Sequence, residues 1–527
     1  MDPTEANSLR RLSDWIHDLV IVADGNVGTF DQWRRVIGMV LGPLLALVIL
    51  LVPCDGLSTE AHRMAAVATL VVIFWITEAL PLPVGSLLGI VLIVIAGIAP
   101  APAVLDAFGD QVIFLFIGSF MLARIMQIHG VDLRIAYALL SHPWVGGSTY
   151  RTIWAVGLTS WLLSMWISNT ASVAMLLPVV LAVGRSIGPV LEEAGFRDPA
   201  AEQRRYMTGL LLMLAYSASL GGLATPVGTP PNLIGIALIA EGTGERLNFL
   251  TWMSFALPIA TLMLLLAFGL ILFRFRPSVR QAEGQLERMR AARAELGPWT
   301  AGQINSLIAF GTAVVLWLLP GLAATILGAD HSHAETLGAR LPEGIVALLA
   351  ATLLFLLPVD ARRRRYTATW EDAVRIDWGT VLLFGGGIAL GRVMIQTGLA
   401  ETIGSGIIDA TGVTSEGPLI AFTVVISSLM SEIGSNTASV NIVLPVILSA
   451  TEALPVSALT IGIGATLAAS MGFMLPVSTP PSAIVYGTGH VSVIEMVKTG
   501  ILLDIVGAIV VWLAALWFIP IMISLGS

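Results

Sequence analysis

Apolar residues recur along this chain in runs of about 20, the length that carries a helix across roughly 30 Å of hydrocarbon. The pattern predicts membrane segments at 36–53, 65–81, 86–103, 111–145, 152–188, 207–240, 248–273, 304–325, 341–358, 378–400, 415–449, 456–488 and 500–524. Four of these are not plain helices. Ser-Asn-Thr interrupts 152–188 and 415–449, and a Thr-Pro-Pro break interrupts 207–240 and 456–488.

Composition agrees with the pattern. Of 527 residues 56% are apolar and 12% charged, with a net charge of −8. Soluble domains carry about 25% charged residues, and disordered chains combine low hydrophobicity with high charge. Both classes are excluded, and nothing in the charge balance points to nucleic acid. A single cysteine, Cys54, rules out an internal disulfide framework or a cysteine-based metal cluster. The first 35 residues mix acidic and basic side chains before any strong apolar run, unlike a cleavable signal peptide.

Arginines set the orientation. They cluster at 197–205, at Arg274, Arg276, Arg280, Arg288, Arg290 and Arg293, and at Arg362–Arg365. These loops are expected in the cytoplasm, and the cation-poor 54–64 and 326–340 outside. The assignments fit together if 152–188 and 415–449 each enter and return on one side. The expected fold is therefore an all-α polytopic membrane protein with eleven transmembrane helices and two re-entrant hairpins. Its amino terminus lies inside and its carboxyl terminus outside.

The same landmarks occur twice in order. Leu82-Pro83-Val84-Gly85 matches Leu341-Pro342-Glu343-Gly344, and LFIGSFMLARIMQIHG at 115–130 matches LFGGGIALGRVMIQTG at 383–398. SNTASVAMLLP at 168–178 matches SNTASVNIVLP at 435–445, and TPVGTPPNLI at 225–234 matches LPVSTPPSAI at 475–484. Each repeat holds an odd number of crossings, so the second is inverted. The expected division is 1–64 for the N-terminal segment and first helix, 65–273 for the first repeat, 274–303 for a cytoplasmic Arg-rich linker and 304–527 for the second repeat. The first repeat's hairpin opens on the cytoplasmic side and the second's on the external side. Inverted repeats with broken helices are a plan of secondary transporters, whose site lies at the repeat interface near mid-membrane.

Non-helical backbone at membrane depth survives only where protein or a wet cavity satisfies it. Each Ser-Asn-Thr reads as a hairpin tip whose side-chain oxygens cap a helix start. At Gly228-Thr229-Pro230-Pro231-Asn232 and Ser478-Thr479-Pro480-Pro481-Ser482, paired prolines are expected to unwind the helix and leave carbonyls unpaired. Tip plus break makes two cation sites. One takes Ser164, Ser168, Asn169 and Gly228, and the other Ser431, Gly434, Asn436 and Ser478. A neutral oxygen set without carboxylates suits Na⁺ rather than Mg²⁺ or Ca²⁺. Between the tips, Asn169, Thr170, Asn436 and Thr437, helped by Thr229, Thr479 and Pro480, can bind a small anion, with helix starts and bound cations meeting its charge.

These motifs resemble the divalent anion:sodium symporter family, which transports succinate, malate, fumarate, citrate or sulfate. The similarity rests on the two SNT triplets, GTPPN at 228–232 and FMLPVSTPPSAIVYG at 473–487, and covers about residues 65–525. It implies Na⁺ and dicarboxylate binding at the tips and breaks, a homodimer in a bacterial inner membrane, and an elevator motion of a transport domain. Departures are Ser482 opposite Asn232, Ser431 where threonine is frequent and Ser478 where alanine is frequent.

Glu78, Arg124, Arg392, Glu401 and Glu432 sit in or beside apolar stretches, where ionisable groups mark working sites or braces. Arg124 and Arg392 are repeat-equivalent and read as snorkelling or bracing residues. Glu432 reads as a structural brace or a proton-sensitive group. His331-Ser332-His333-Ala334-Glu335 reads as a loop without the framework of a metal site. Arg362–Arg365 reads as a solvated, topology-setting turn, open to lipid headgroups, and Trp370 and Trp378 as interfacial anchors. The resulting expectation is a sodium-coupled importer of C4-dicarboxylates with at least two Na⁺ sites. The alternatives are an exchanger, a sulfate or citrate transporter, an anion channel and, weakest, an intramembrane enzyme.

Overall fold

The computed structural model describes residues 29–526, with 55, 283, 329 and 453 excepted. The expectation for the amino-terminal stretch falls on residues outside this range up to 28. The described chain is an all-α polytopic membrane protein. Ten of its helices are long and apolar enough to cross a membrane, or eleven if Ser332–Arg340 and Glu343–Leu356, bent by 56°, make one span.

Burial separates the helices by role. Pro199–Leu223 is the centre of the molecule, with every residue from Tyr206 to Leu223 buried, as an all-round apolar helix requires. Thr29–Leu51 is the opposite case: Leu44, Leu47, Leu50 and Leu51 are exposed, which suits a face against lipid.

The two halves of the chain interlock. Leu82–Ile95 packs on Trp378–Gln396, while Glu343–Leu356 packs on Gln111–Ile128. Small residues allow these approaches. A methyl group at Gly118 would meet the Ala347 carbonyl carbon at 2.5 Å, and one at Gly386 would meet Ser86 Cβ at 2.5 Å. The exchange recurs deeper inside. Pro230–Thr243 lies against Asn436–Thr451, and Pro480–Gly487 lies against Asn169–Arg185.

Several segments differ from the apolar runs. The 111–145 run divides into Gln111–Ile128 and Val131–Leu140, because Gly130 turns the chain with φ +69°. The 341–358 run begins only after Pro342, since the residue before a proline resists helical geometry. Residues 331–335 form no loop: His331 caps Ser332–Arg340, accepting from the His333 amide at 3.2 Å. Arg362–Arg364 occupy the turn of a small antiparallel pair, Pro358–Asp360 with Arg365–Tyr366, the one departure from helix among the described elements. The Arg-rich linker contains the helix Gln285–Glu295, and Arg134 fastens the turn after it by bonding Leu296 and Gly297 carbonyls at 2.8 and 3.0 Å.

Candidate functional site

Four helix starts converge on one cavity of about 390 Å³. They open Asn169–Arg185, Pro230–Thr243, Asn436–Thr451 and Pro480–Gly487. The lining includes Asn169, Thr170, Asn436, Thr437, Thr229, Thr479 and Pro480 together, with Ser168, Gly228, Ser435 and Ser478 beside them. Helix starts carry partial positive charge and free amides, so their convergence favours an anion.

The local reason for each start differs from the expectation. Ser168 and Ser435 precede their helices, yet neither side chain caps an amide. The Asn oxygens turn back instead. Ser164 Oγ donates to Asn169 Oδ1 at 2.5 Å, and Ser431 Oγ donates to Asn436 Oδ1 at 2.6 Å. The prolines unwind the backbone before them as expected, and they also begin the next helix. Pro230-Pro231 and Pro480-Pro481 occupy the first helical positions, where a missing N–H costs nothing. The unwound backbone precedes them, at 224–229 in the first half and 469–479 in the second.

Each Ser–Asn pair lies beside the unwound segment of its own half. In the first half Gly222 abuts the tip: a methyl group there would stand 2.6 Å from Asn169 Oδ1. The unwound segment is held by Asn232 Nδ2, which donates to the carbonyls of Gly222 at 2.9 Å and Thr225 at 2.8 Å. Thr225 Oγ1 donates to the Met165 carbonyl at 2.5 Å, tying this segment to the tip. In the second half Gly472 stands where Gly222 does, with its added methyl 2.8 Å from Ser431 Oγ. Ser478 Oγ donates to the Leu475 carbonyl at 2.7 Å. Ser164 and Ser431 are fully buried behind the cavity wall. Gly434 ends Glu416–Ile433 and lies outside the lining, with Ile76 among its nearest neighbours.

The charged residues resolve individually. Glu432 accepts from the Met474 and Leu475 amides at 2.9 and 3.1 Å, and Asp504 accepts from the Phe473 amide at 3.1 Å. These two carboxyls brace the long second break. Glu78, left-handed at φ 48°, pairs with Arg34 at 2.8 Å. Glu401 is exposed in the first turn of Leu399–Thr411. Arg392 bonds Asp106 at 3.2 Å and Glu241 at 3.0 Å, so it is a brace. Arg124 and Gln127 line the cavity from the 115–130 repeat motif, and Arg375, Asp377 and Thr380 line it from positions the motifs did not mark.

A second cavity of about 510 Å³ is lined by Pro226, Arg246, Asn248, Glu335 and Glu343, and by no SNT or TPP residue. Pro226 lines this cavity while Val227 and Gly228 line the other, so the unwound 225–228 segment is the wall between them.

Two cavities lie on either side of a thin unwound wall within an all-α membrane body, an arrangement that suits alternating access. Residues 31–525 match the family model of the sodium:sulfate symporter transmembrane region. The sodium-dependent dicarboxylate transporter SdcS of Staphylococcus saprophyticus is 30% identical over 489 residues, covering 92% of each chain. Its namesake from Staphylococcus aureus strain RF122 is 30% identical over 497 residues, covering 93% of this chain and 92% of its own. The protein belongs to this family of symporters. The crystal structure of the Alcanivorax borkumensis YdaH transporter shares the fold at a TM-score of 0.50 and 15% identity, over 91% of this chain and 97% of that one.

Proposed function

We propose that this protein is a sodium-coupled importer of C4-dicarboxylates such as succinate, malate and fumarate. The observation carrying this reading is the convergence of four helix starts with two half-buried Ser–Asn pairs on one cavity. The helix starts and the Asn and Thr side chains would hold the dicarboxylate. Na⁺, a co-substrate, would sit beside the two Ser–Asn pairs, whose own oxygens are neutral and favour a weakly held monovalent cation over Mg²⁺ or Ca²⁺. Membership in the symporter family and the similarity to sodium-dependent dicarboxylate transporters support the same reading.

In this account residues 65–273 and 304–527 are inverted repeats, each with a re-entrant hairpin at its SNT, and 274–303 is a cytoplasmic linker after the 1–64 segment. Eleven crossings put the amino terminus in the cytoplasm and the carboxyl terminus outside a bacterial inner membrane. The protein is a homodimer whose transport domains move as elevators. The site cavity is bordered by Arg375–Asp377, close in the chain to the Arg362–Arg365 turn. With that turn cytoplasmic, this is the inward-facing state and the larger cavity is the external vestibule.

Uptake of labelled succinate into proteoliposomes tests the reading. Na⁺-driven accumulation into empty vesicles, absent with K⁺ or choline, is expected. Uptake that ignores Na⁺ and needs internal succinate would make the protein an exchanger, and preference for sulfate or citrate would reassign the substrate.

A further inference from the structure

The helix Gln111–Ile128 borders both cavities. Gln111, Val112 and Leu115 line the larger one, and Phe120, Ala123, Arg124 and Gln127 line the site cavity. The end of this helix is fixed beside the Arg362–Arg365 turn, where His129 Nε2 lies 2.8 Å from the Thr367 carbonyl. Arg124 is five residues short of His129, about 7.5 Å of helix rise. It therefore stands on that turn's side of the site cavity.

The charge of Arg124 is unspent. It has no ion pair or hydrogen-bond partner among the described residues, and its Nε is buried. A guanidinium stays charged, and half-burying it without a counter-ion is costly. Asp377, the carboxylate in the same lining, is committed to capping Trp378–Gln396, accepting from the Thr380 amide at 3.1 Å and Thr380 Oγ1 at 2.6 Å. Arg375 also lines the cavity, but it is exposed and screened by solvent. A dianion leaving the site supplies the missing counter-charge.

The repeat-equivalent Arg392 is in the opposite condition. It is paired with Asp106 and Glu241, and Glu241 follows Ala240, which lines the larger cavity. One end of the path thus carries a free guanidinium and the other a masked one. Arg124 also belongs to a different part of the packing from the helix starts. Its helix packs on Ala301–Leu327 and Glu343–Leu356, none of which holds an SNT or a TPP. Asn169–Arg185 and Pro480–Gly487 pack on Pro199–Leu223 instead, and Pro230–Thr243 packs on Asn436–Thr451. An elevator motion of the helix starts leaves Arg124 behind.

We infer that Arg124 holds the dicarboxylate only at the cytoplasmic face, so that the protein binds succinate more tightly from inside than from outside. The guanidinium fork matches a carboxylate in two parallel bonds. Release to the cytoplasm is slowed, and accumulated internal diacid becomes a brake on further import. The inference rests on the proposed transport function, inward-facing orientation and elevator motion, and deepens that reading.

Vesicles of defined sidedness test it. Succinate uptake is measured in inside-out and right-side-out membrane vesicles from cells making the full-length protein, with equal saturating Na⁺ on both sides and no membrane potential. The half-saturating succinate concentration of the wild type is expected to be lower in inside-out vesicles. Arg124→Gln should raise that value about tenfold, the size of a lost charge-assisted bond, and change the right-side-out value less than about twofold. If Arg124→Gln does not fold, Arg124→Lys decides: it keeps the charge but loses the fork, and should raise the inside-out value alone, by about threefold. Equal wild-type values at the two faces would overturn the inference, as would a folded variant that shifts both faces equally, neither face or the outer face alone. Failure of the transport reading shows separately, as absent saturable succinate uptake in both kinds of wild-type vesicle.

Discussion

Ser164 Oγ and Asn169 Oδ1 lie 2.5 Å apart across the break between Thr149–Ser164 and Asn169–Arg185. The serine closes one helix and the asparagine opens the next, so their hydrogen bond holds both ends of the gap. Its counterpart, Ser431 to Asn436 at 2.6 Å, spans the second gap from the last turn of Glu416–Ile433. In both places the serine proton is spent on the asparagine, which leaves hydroxyl lone pairs for a cation.

Replacing Ser164 or Ser431 with alanine should weaken Na⁺ use. One buried hydroxyl bond contributes about 1 kcal/mol, roughly a fivefold change in equilibrium. The Na⁺ concentration for half-maximal uptake should rise by about that factor at saturating succinate, and Na⁺ titration of uptake checks it. An unchanged Na⁺ curve for both variants would remove the serines from the cation sites.

Gly222→Ala and Gly472→Ala should disturb the same Ser–Asn pairs from the unwound segment's side. The added methyl would press on Asn169 Oδ1 at 2.6 Å or Ser431 Oγ at 2.8 Å. Such crowding costs about 1–3 kcal/mol. Each variant should lose Na⁺-dependent uptake with a lowered Tm, whereas Gly487→Ala, which meets nothing within 4 Å, should behave as wild type.

Asn232→Ala should destabilise the protein more than Ser482→Ala. Asn232 satisfies the Gly222 carbonyl and shares the Thr225 carbonyl with the Gly228 amide, and a buried carbonyl left without a partner costs about 1–3 kcal/mol. Ser482 Oγ only accepts from Thr479 Oγ1 at 3.0 Å. Thermal unfolding in detergent should rank the two, and equal Tm losses would contradict the bracing role.

Glu432→Ala should loosen the second break alone, because Met474 and Leu475 lose their acceptor. Hydrogen exchange at 472–478 should quicken while the 222–228 segment stays protected. Equal exchange in both segments would mean that Glu432 does not hold the loop.

The chemistry of the site was legible because polar triplets stand out in apolar runs: Ser168–Thr170, Ser435–Thr437, Thr229 and Thr479 all reach one cavity. Gly222 and Gly472 were not legible, since a glycine contributing only close approach looks like any small residue of a packed helix. The unwinding before each proline pair was legible, with Thr229 and Thr479 extended, but not that the same pair begins the next helix. Arg375 and Asp377 came to the cavity from a connecting segment, a placement that tertiary packing alone decides. Broad fold class followed from hydropathy. The division at Gly130 and the bend before Glu343 depended on local backbone geometry inside otherwise continuous apolar runs.

The most direct measurement is the joint Na⁺ and succinate dependence of uptake in Asn169→Ala and Asn436→Ala proteoliposomes. Each asparagine bonds its serine at the proposed cation site and also lines the cavity. Both variants are therefore expected to need more Na⁺ and more succinate than wild type. Wild-type dependence on both solutes in either variant would contradict the account.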